Sequence, residues 1–238
     1  MKHFSLRASA PVLAGFVLLG GCGLISSDIS KLTFDLPTET YTFDTSMWSN
    51  LPSGTIPPVP CGSANDCCVA ATATGSGLDC STLTCNSSSV CEADIPESAA
   101  STVNLAMQVP VLQSFPGHAL SSITISSISY KVSDNTLNID LPQMTIYLAP
   151  DGVTDPFHDS RAVAFGTIPP ISHTPPDNDP SGMVMLVSNA AQVFAMFTGN
   201  ISTPFTIIAA GIVAIPSGSP VPSGAITVSV TGTVSAQI

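Results

Sequence analysis

Short apolar runs, each cut by a proline, constrain this chain more than any other feature. Leu32, Phe34 and Leu36 alternate with polar residues and stop at Pro37. Side chains spaced in this way share one face of an extended strand, whereas a helix would scatter them. Tyr41 and Phe43 resume beyond the proline with the opposite parity. Proline removes a ladder donor and is tolerated in sheets at edges, ends and bulges. The parity change therefore predicts a bulge, a bend or a strand passing between sheets. The pattern returns as Leu105-Ala-Met-Gln-Val-Pro110 and as Leu137-Asn-Ile-Asp-Leu-Pro142, after which Met144, Ile146 and Leu148 continue in shifted parity. The copies are unequally spaced, which excludes a solenoid repeat. They read as three strands that each end or kink at a proline.

From residue 120 the strand signals crowd together. Ile123 and Ile125, then Ile128, Tyr130 and Val132, alternate with a slip at Ser126-Ser127. Ser133-Asp134-Asn135 reads as a hairpin turn into the run at Leu137. Further short strands are expected over 162–168 and 183–187. The almost continuous apolar run 205–215 is too short for a membrane-spanning helix and suits a strand buried on both faces. A last strand closes the chain over 225–238, with Ile226, Val228 and Val230 on one parity. Pro-Ser-Gly recurs as turn punctuation. One helix is expected, capped by Ser188 or Asn189, with Ala190, Ala191, Val193, Phe194 and Phe197 on its apolar face and Gly199 at its end. It should cross one end of the strands as packing. The hydrophobic content of 44% against 9% charged residues argues for a real core over disorder. Together these features predict an antiparallel β-sandwich of immunoglobulin-like outline, with roughly seven to nine strands. A small closed β-barrel is the alternative fold.

Six cysteines, Cys61, Cys67, Cys68, Cys80, Cys85 and Cys91, interrupt this pattern within one short segment. Val69, Leu78, Leu83 and Val90 are the only sizeable apolar residues among them, too few for a core, so the segment needs staples. Zinc is not the expected staple, since the segment has no Cys-x-x-Cys and no histidine. Six cysteines allow fifteen pairings, and excluding a bond between adjacent Cys67 and Cys68 leaves twelve. The adjacent pair resembles that of small knotted, disulfide-rich modules, although here it is second and third in order rather than third and fourth. Pro-rich linkers flank the segment. Residues 31–238 thus read as one sandwich interrupted over 46–101 by linkers around a six-cysteine insert at 61–91. Reduction should loosen 61–91 while the sandwich persists.

The seventh cysteine has its own context. Lys2 and Arg7 precede an uncharged run from Ala8 to Gly21 that includes Val12, Leu13, Phe16, Val17, Leu18 and Leu19. The run is shorter than the roughly 20 residues of a spanning helix, and Pro11 and three glycines weaken it further. A basic start, a short apolar middle and small residues at the end are the parts of a secretory signal peptide. Leu19-Gly20-Gly21-Cys22 resembles the lipobox of bacterial lipoproteins, in which the cysteine is diacylated and becomes the mature N-terminus. The resemblance implies that residues 1–21 are cleaved and that Cys22 carries the lipid. With Gly23, not Asp, after it, the resemblance implies the outer membrane in a Gram-negative host. Residues 22–30 then form a tether whose eight residues beyond Cys22 reach at most about 30 Å. Two acyl chains give a stable anchor where one does not. An exported chain also makes disulfides the default for the insert.

Beyond Cys22 stand sixteen acids and three bases, Lys31, Lys131 and Arg161, for a net charge of −13. Such a surface repels nucleic acid and anionic lipid. Candidate chemistry is sparse. Asp151, Asp155, His158 and Asp159 crowd one loop, and His173, Asp177 and Asp179 the next. Calcium is the ion such oxygens suit, but the spacing of an EF-hand is missing and Pro156 and Phe157 intervene. No Gly-x-Ser-x-Gly elbow, Ser-x-x-Lys pair, phosphate loop or dinucleotide fingerprint occurs. No catalytic residue and no cofactor is therefore assigned. The first expectation is a non-catalytic lipid-anchored envelope lipoprotein, structural or protein-binding, with the membrane and another envelope protein as partners. A carrier of apolar or lipid ligands is the alternative. A metal-dependent hydrolase at the Asp151–Asp179 loops is the weaker one.

Overall fold

The computed structural model describes residues 31–48, 58–74, 80–175 and 178–238. The lipobox and tether, residues 49–57 of the first linker, Leu78 and Asp177 lie outside these. Eleven strands and three helices follow in chain order among the described residues: β1 (Leu32–Asp35), β2 (Glu39–Asp44), α1 (Ala64–Thr74), β3 (Leu83–Cys85), β4 (Cys91–Val103), α2 (Leu105–Gln108), β5 (Ser121–Ser133), β6 (Met144–Pro150), β7 (Val163–Ile168), β8 (Ser181–Met183), β9 (Met185–Leu186), α3 (Ala190–Phe197), β10 (Phe205–Pro216) and β11 (Ala225–Gln237).

They form two open antiparallel sheets. In one, β11 lies between β5 and the β1–β2 pair, and β8 adds to β5; the other runs β3-β4-β10-β6-β7-β9. The fold is thus a β-sandwich, and neither sheet closes into the alternative barrel. Its strand count exceeds seven to nine because β3, β8 and β9 are very short and because one long strand is split into β1 and β2. That split is the predicted irregularity at Pro37. Asp35 pairs with Thr233 and Glu39 with Val230, so three residues stand opposite two. The extra residue flips the parity, and Phe34, Tyr41 and Phe43 all point inward and are buried. The slip at Ser126-Ser127 is a second bulge, since Thr233 pairs with Ser127 but Val234 with Ile125.

The expected strand over 183–187 is divided between the sheets. β8 pairs with β5 and β9 with β7, and buried Val184 makes the crossing. The apolar run 205–215 is β10, central in its sheet between β4 and β6. Its first half is covered on both faces, for Val153 of the loop after β6 packs outside on Ile208 and Ala210. Its second half alternates, leaving Ile212 exposed. Helix α3 lies against β5, β6 and β7, with Ala190, Val193 and Phe194 buried. Phe194 meets Phe205 edge-on at a centroid distance of 6.2 Å. Asn189 occupies the cap position but its side chain caps nothing.

Three expectations fail. Residues 105–110 form α2 and a 3-10 turn instead of a strand. The Asn104 side chain accepts from the Met107 N–H and the Gln108 side chain accepts from the Asn104 N–H, a reciprocal cap that favours a helical turn. Residues 137–142 are not a strand either, apart from a single bridge between Leu141 and Ile171, so Ser133-Asp134-Asn135 is no hairpin turn. Residues 92–101, read as linker, belong to β4, a thirteen-residue strand paired along β10. Two further helices, α1 and α2, join the single one predicted.

Candidate functional site

The cysteine segment is a built module. Its disulfides are Cys61–Cys85, Cys67–Cys91 and Cys68–Cys80. The adjacent cysteines thus diverge, one reaching the main sheet and the other the turn before β3. Ser63-Ala-Asn-Asp66 starts α1 as a capping box: the Asp66 carboxylate accepts from the Gly62 and Ser63 N–H groups at 2.8 and 3.0 Å. These bonds hold Asp66 below the usual carboxylate range. Cys67 and Ala71, one turn apart, are buried against Leu83 and Cys91. Val69 points to solvent. This face is continuous with the sandwich core. The helix was legible in that capping box, which reading the segment as a stapled loop overlooked.

The acidic loop residues are each engaged by a near neighbour. Asp155 binds the His158 ring at 2.8 Å and accepts from the Phe157 N–H. Asp159 forks onto Arg161, whose guanidinium holds the carboxyl down at about 2. Asp151 accepts from the Thr102 hydroxyl at 3.2 Å. In the next loop His173 meets Asp140 at 2.6 Å, while Asp179 accepts from the Asn135 N–H. Each group serves a neighbour; Asp155, His158 and Asp159 border one surface hollow, while Asp151 turns toward Thr102. Among the described residues, the ligand atoms that come close together are the sulfurs of Cys61, Cys67 and Cys91, all held in disulfides.

A different set gathers where β2 and β4 form one open side of the sandwich. The buried Glu39 carboxylate accepts from the Ser101 hydroxyl across the two sheets. Tyr41 is buried beside it, and burial, then the Glu39 charge, push its hydroxyl up. Glu97 follows Ala93 and Ile95 on the inward face of β4, and burial raises its carboxyl to about 7. It borders a cavity of about 10 Å³ with Phe43, Trp48 and Met144. The Trp48 indole N–H is buried and has no acceptor among the described residues. Sequence reasoning passed over Glu39 and Glu97. The signal was their parity, since Glu39 shares the inward phase of Tyr41 and Phe43.

Among the described residues, no strand pairs with β4 on this side beyond Ala93. Cys91 directs its N–H to Val59 and its C=O to the Ser217 N–H at the end of β10. Alternation turns the N–H and C=O of Ser98, Ala100 and Thr102, and the C=O of Pro96, the other way. β3 reaches along β4 only as far as Ala93, and no described strand pairs beyond it. Pro96, which has no N–H, stands where proline is tolerated. Outside β4 lies a groove of about 530 Å³ bordered by Pro96, Ser98, Ala100, Asp155, Phe157 and His158. The Ser98 hydroxyl bonds the Thr154 carbonyl across it. Between the sheets, beside Glu39, the interior holds a cavity of about 30 Å³ lined by apolar side chains.

No family model matches the chain, and no curated protein matches it either. Solved structures with a distant likeness include two from viruses. One, from Desmodium yellow mottle tymovirus, is 10% identical with a TM-score of 0.25, over 85% of this chain and 87% of that one. The other, from the full particle of Israeli acute paralysis virus heated to 63 degrees, is 11% identical with a TM-score of 0.29, over 99% of this chain and 85% of that one.

Proposed function

We propose that this chain is a lipid-anchored envelope lipoprotein without a catalytic role, whose folded part binds another protein. The pairing of all six cysteines from 61 to 91 carries the reading. Three disulfides in one short segment need an oxidising compartment. They also leave Cys22 as the odd cysteine, at the position of the lipobox Leu19-Gly20-Gly21-Cys22. In a Gram-negative host Gly23 directs the anchored protein to the outer membrane. The carrier reading, which uses the interior between the sheets, has less support, because the described cavity there of about 30 Å³ is far below the several hundred that a lipid-sized ligand fills.

Two experiments test it. Cys22→Ser should release the protein from membranes or leave an unprocessed precursor; a processed, membrane-retained variant overturns the anchor. Pull-down of the full chain from envelope extracts should recover a protein partner. If nothing is recovered while the chain is folded and anchored, the binding role fails.

A further inference from the structure

We propose that the open side between β2 and β4 is a docking seam for an extended partner segment carrying lysine or arginine, which adds as a strand along residues 96–102. The inference rests on the protein-binding reading above and names its surface and partner chemistry. Strand addition needs backbone groups on an edge that no strand pairs, and among the described residues Ser98, Ala100 and Thr102 supply them in alternation. An arriving strand would set its side chains alternately toward the seam and toward the outer groove. Carboxyl groups wait on both sides: Glu97 and Glu39 within the seam, Asp155 at the groove. Among the described residues neither Glu39 nor Glu97 pairs with a cation. A buried or half-buried carboxylate without one is costly, and burial already lifts the Glu97 carboxyl toward neutrality. A lysine or arginine brought by the partner relieves that cost. The unpartnered indole N–H of Trp48 borders the same cavity as Glu97.

The same features disfavour a second copy of this chain. An inward-pointing charge and a proline on an edge strand block indiscriminate pairing. Two β4 edges side by side would bring two copies of the Glu97 and Glu39 carboxylates together on a chain of net charge −11. A basic segment removes the block and a neutral or acidic one does not, so the edge discriminates as well as binds.

The test uses the detergent-solubilised full chain with an alternating Thr-Lys octapeptide and its Thr-Glu counterpart. The lysine peptide should protect the amides of Ser98, Ala100 and Thr102 from hydrogen exchange, shift the fluorescence of Trp48 and bind more weakly at high salt. The glutamate peptide should do none of these. Ala100→Pro replaces an outward N–H, as Pro96 does already, and should abolish binding. Glu97→Gln should weaken it on the order of tenfold, and it keeps the test decisive if the proline variant fails to fold. Protection elsewhere, equal binding of both peptides, or undiminished binding by a folded Ala100→Pro chain overturns the seam. Protection of the same amides without peptide, in a chain that sediments as a dimer, overturns it in favour of a second copy. If Ala100→Pro still captures the envelope partner, the seam is wrong and the protein-binding reading stands.

Discussion

At the scale of single residues, Glu97 carries the clearest physical consequence. Its carboxyl is raised by burial from 4.5 to about 7, and among the described residues no other titratable side chain borders its cavity. The folded chain therefore holds this proton more tightly than the unfolded chain. That contribution is fully present below about 4.5 and is lost as pH rises to about 7. Asp159, Asp155, Asp140 and Asp66 are shifted the other way by their hydrogen bonds, so their contributions fade only as pH falls below the ordinary carboxylate range. The two windows do not overlap. Urea unfolding across that upper window should show stability falling with pH, and Glu97→Gln should flatten the slope. Parallel curves for the two proteins would refute the burial account. Gly224 is a second point of constraint. Its φ is +98°, and a Cβ there would run into the Thr136 carbonyl, whose carbon lies 2.6 Å away. Gly224→Ala should cost roughly 2 kcal/mol or more in denaturant unfolding; a change within about 0.5 kcal/mol would mean that the turn before β11 shifts freely.

At the scale of elements, the disulfides differ by what they tie down rather than by loop size. Closing loops of 24 and 12 residues contributes about 3 kcal/mol either way in the chain-entropy picture. Cys67–Cys91, however, joins α1 to the start of β4 and is buried, whereas Cys68–Cys80 joins α1 to an exposed turn. Replacing Cys67 and Cys91 by alanine should lower the melting temperature clearly more than replacing Cys68 and Cys80. Equal losses would leave loop entropy as the whole effect. The same contrast explains what could be read from the sequence. Parity shifts at Pro37 and Ser126 are local, and both bulges were legible. β10 was legible because nine apolar residues in a run of eleven leave few alternatives. β4 was not, since Pro96, Glu97 and a run of small polar residues carry little strand signal; its partner β10, more than a hundred residues away, makes it a strand. The copies at 105 and 137 misled because Asn104 caps a helical turn and because Leu137 and Leu141 are buried without forming a strand ladder. The seam was only partly legible, because parity places Glu39 inward but cannot place β4 opposite it.

For the whole molecule, the decisive feature is that module and sandwich share one core. Cys61, Cys67, Ala71, Leu83 and Cys91 pack in the same buried cluster as Ile95, Val213 and Ile215. β4 belongs to both parts: its first residue is disulfide-bonded to α1 and its length is the partner of β10. A sequence-level boundary at 101 would cut this strand off from the sheet it completes. Two parts that share a strand and a core should unfold together, since loosening one exposes apolar surface of the other. Oxidised protein should therefore give one denaturant transition, with coincident curves from far-ultraviolet circular dichroism and from Trp48, the chain's single tryptophan, which is buried next to the seam. Reduction should move that one transition to lower denaturant. The expectation drawn from sequence, a loosened 61–91 beside an intact sandwich, predicts instead that reduction leaves the Trp48 transition in place while the amides of α1 lose protection. The position of the Trp48 transition after reduction separates the two, because Trp48 sits on the sandwich side of the shared core, against Phe43 and Val213.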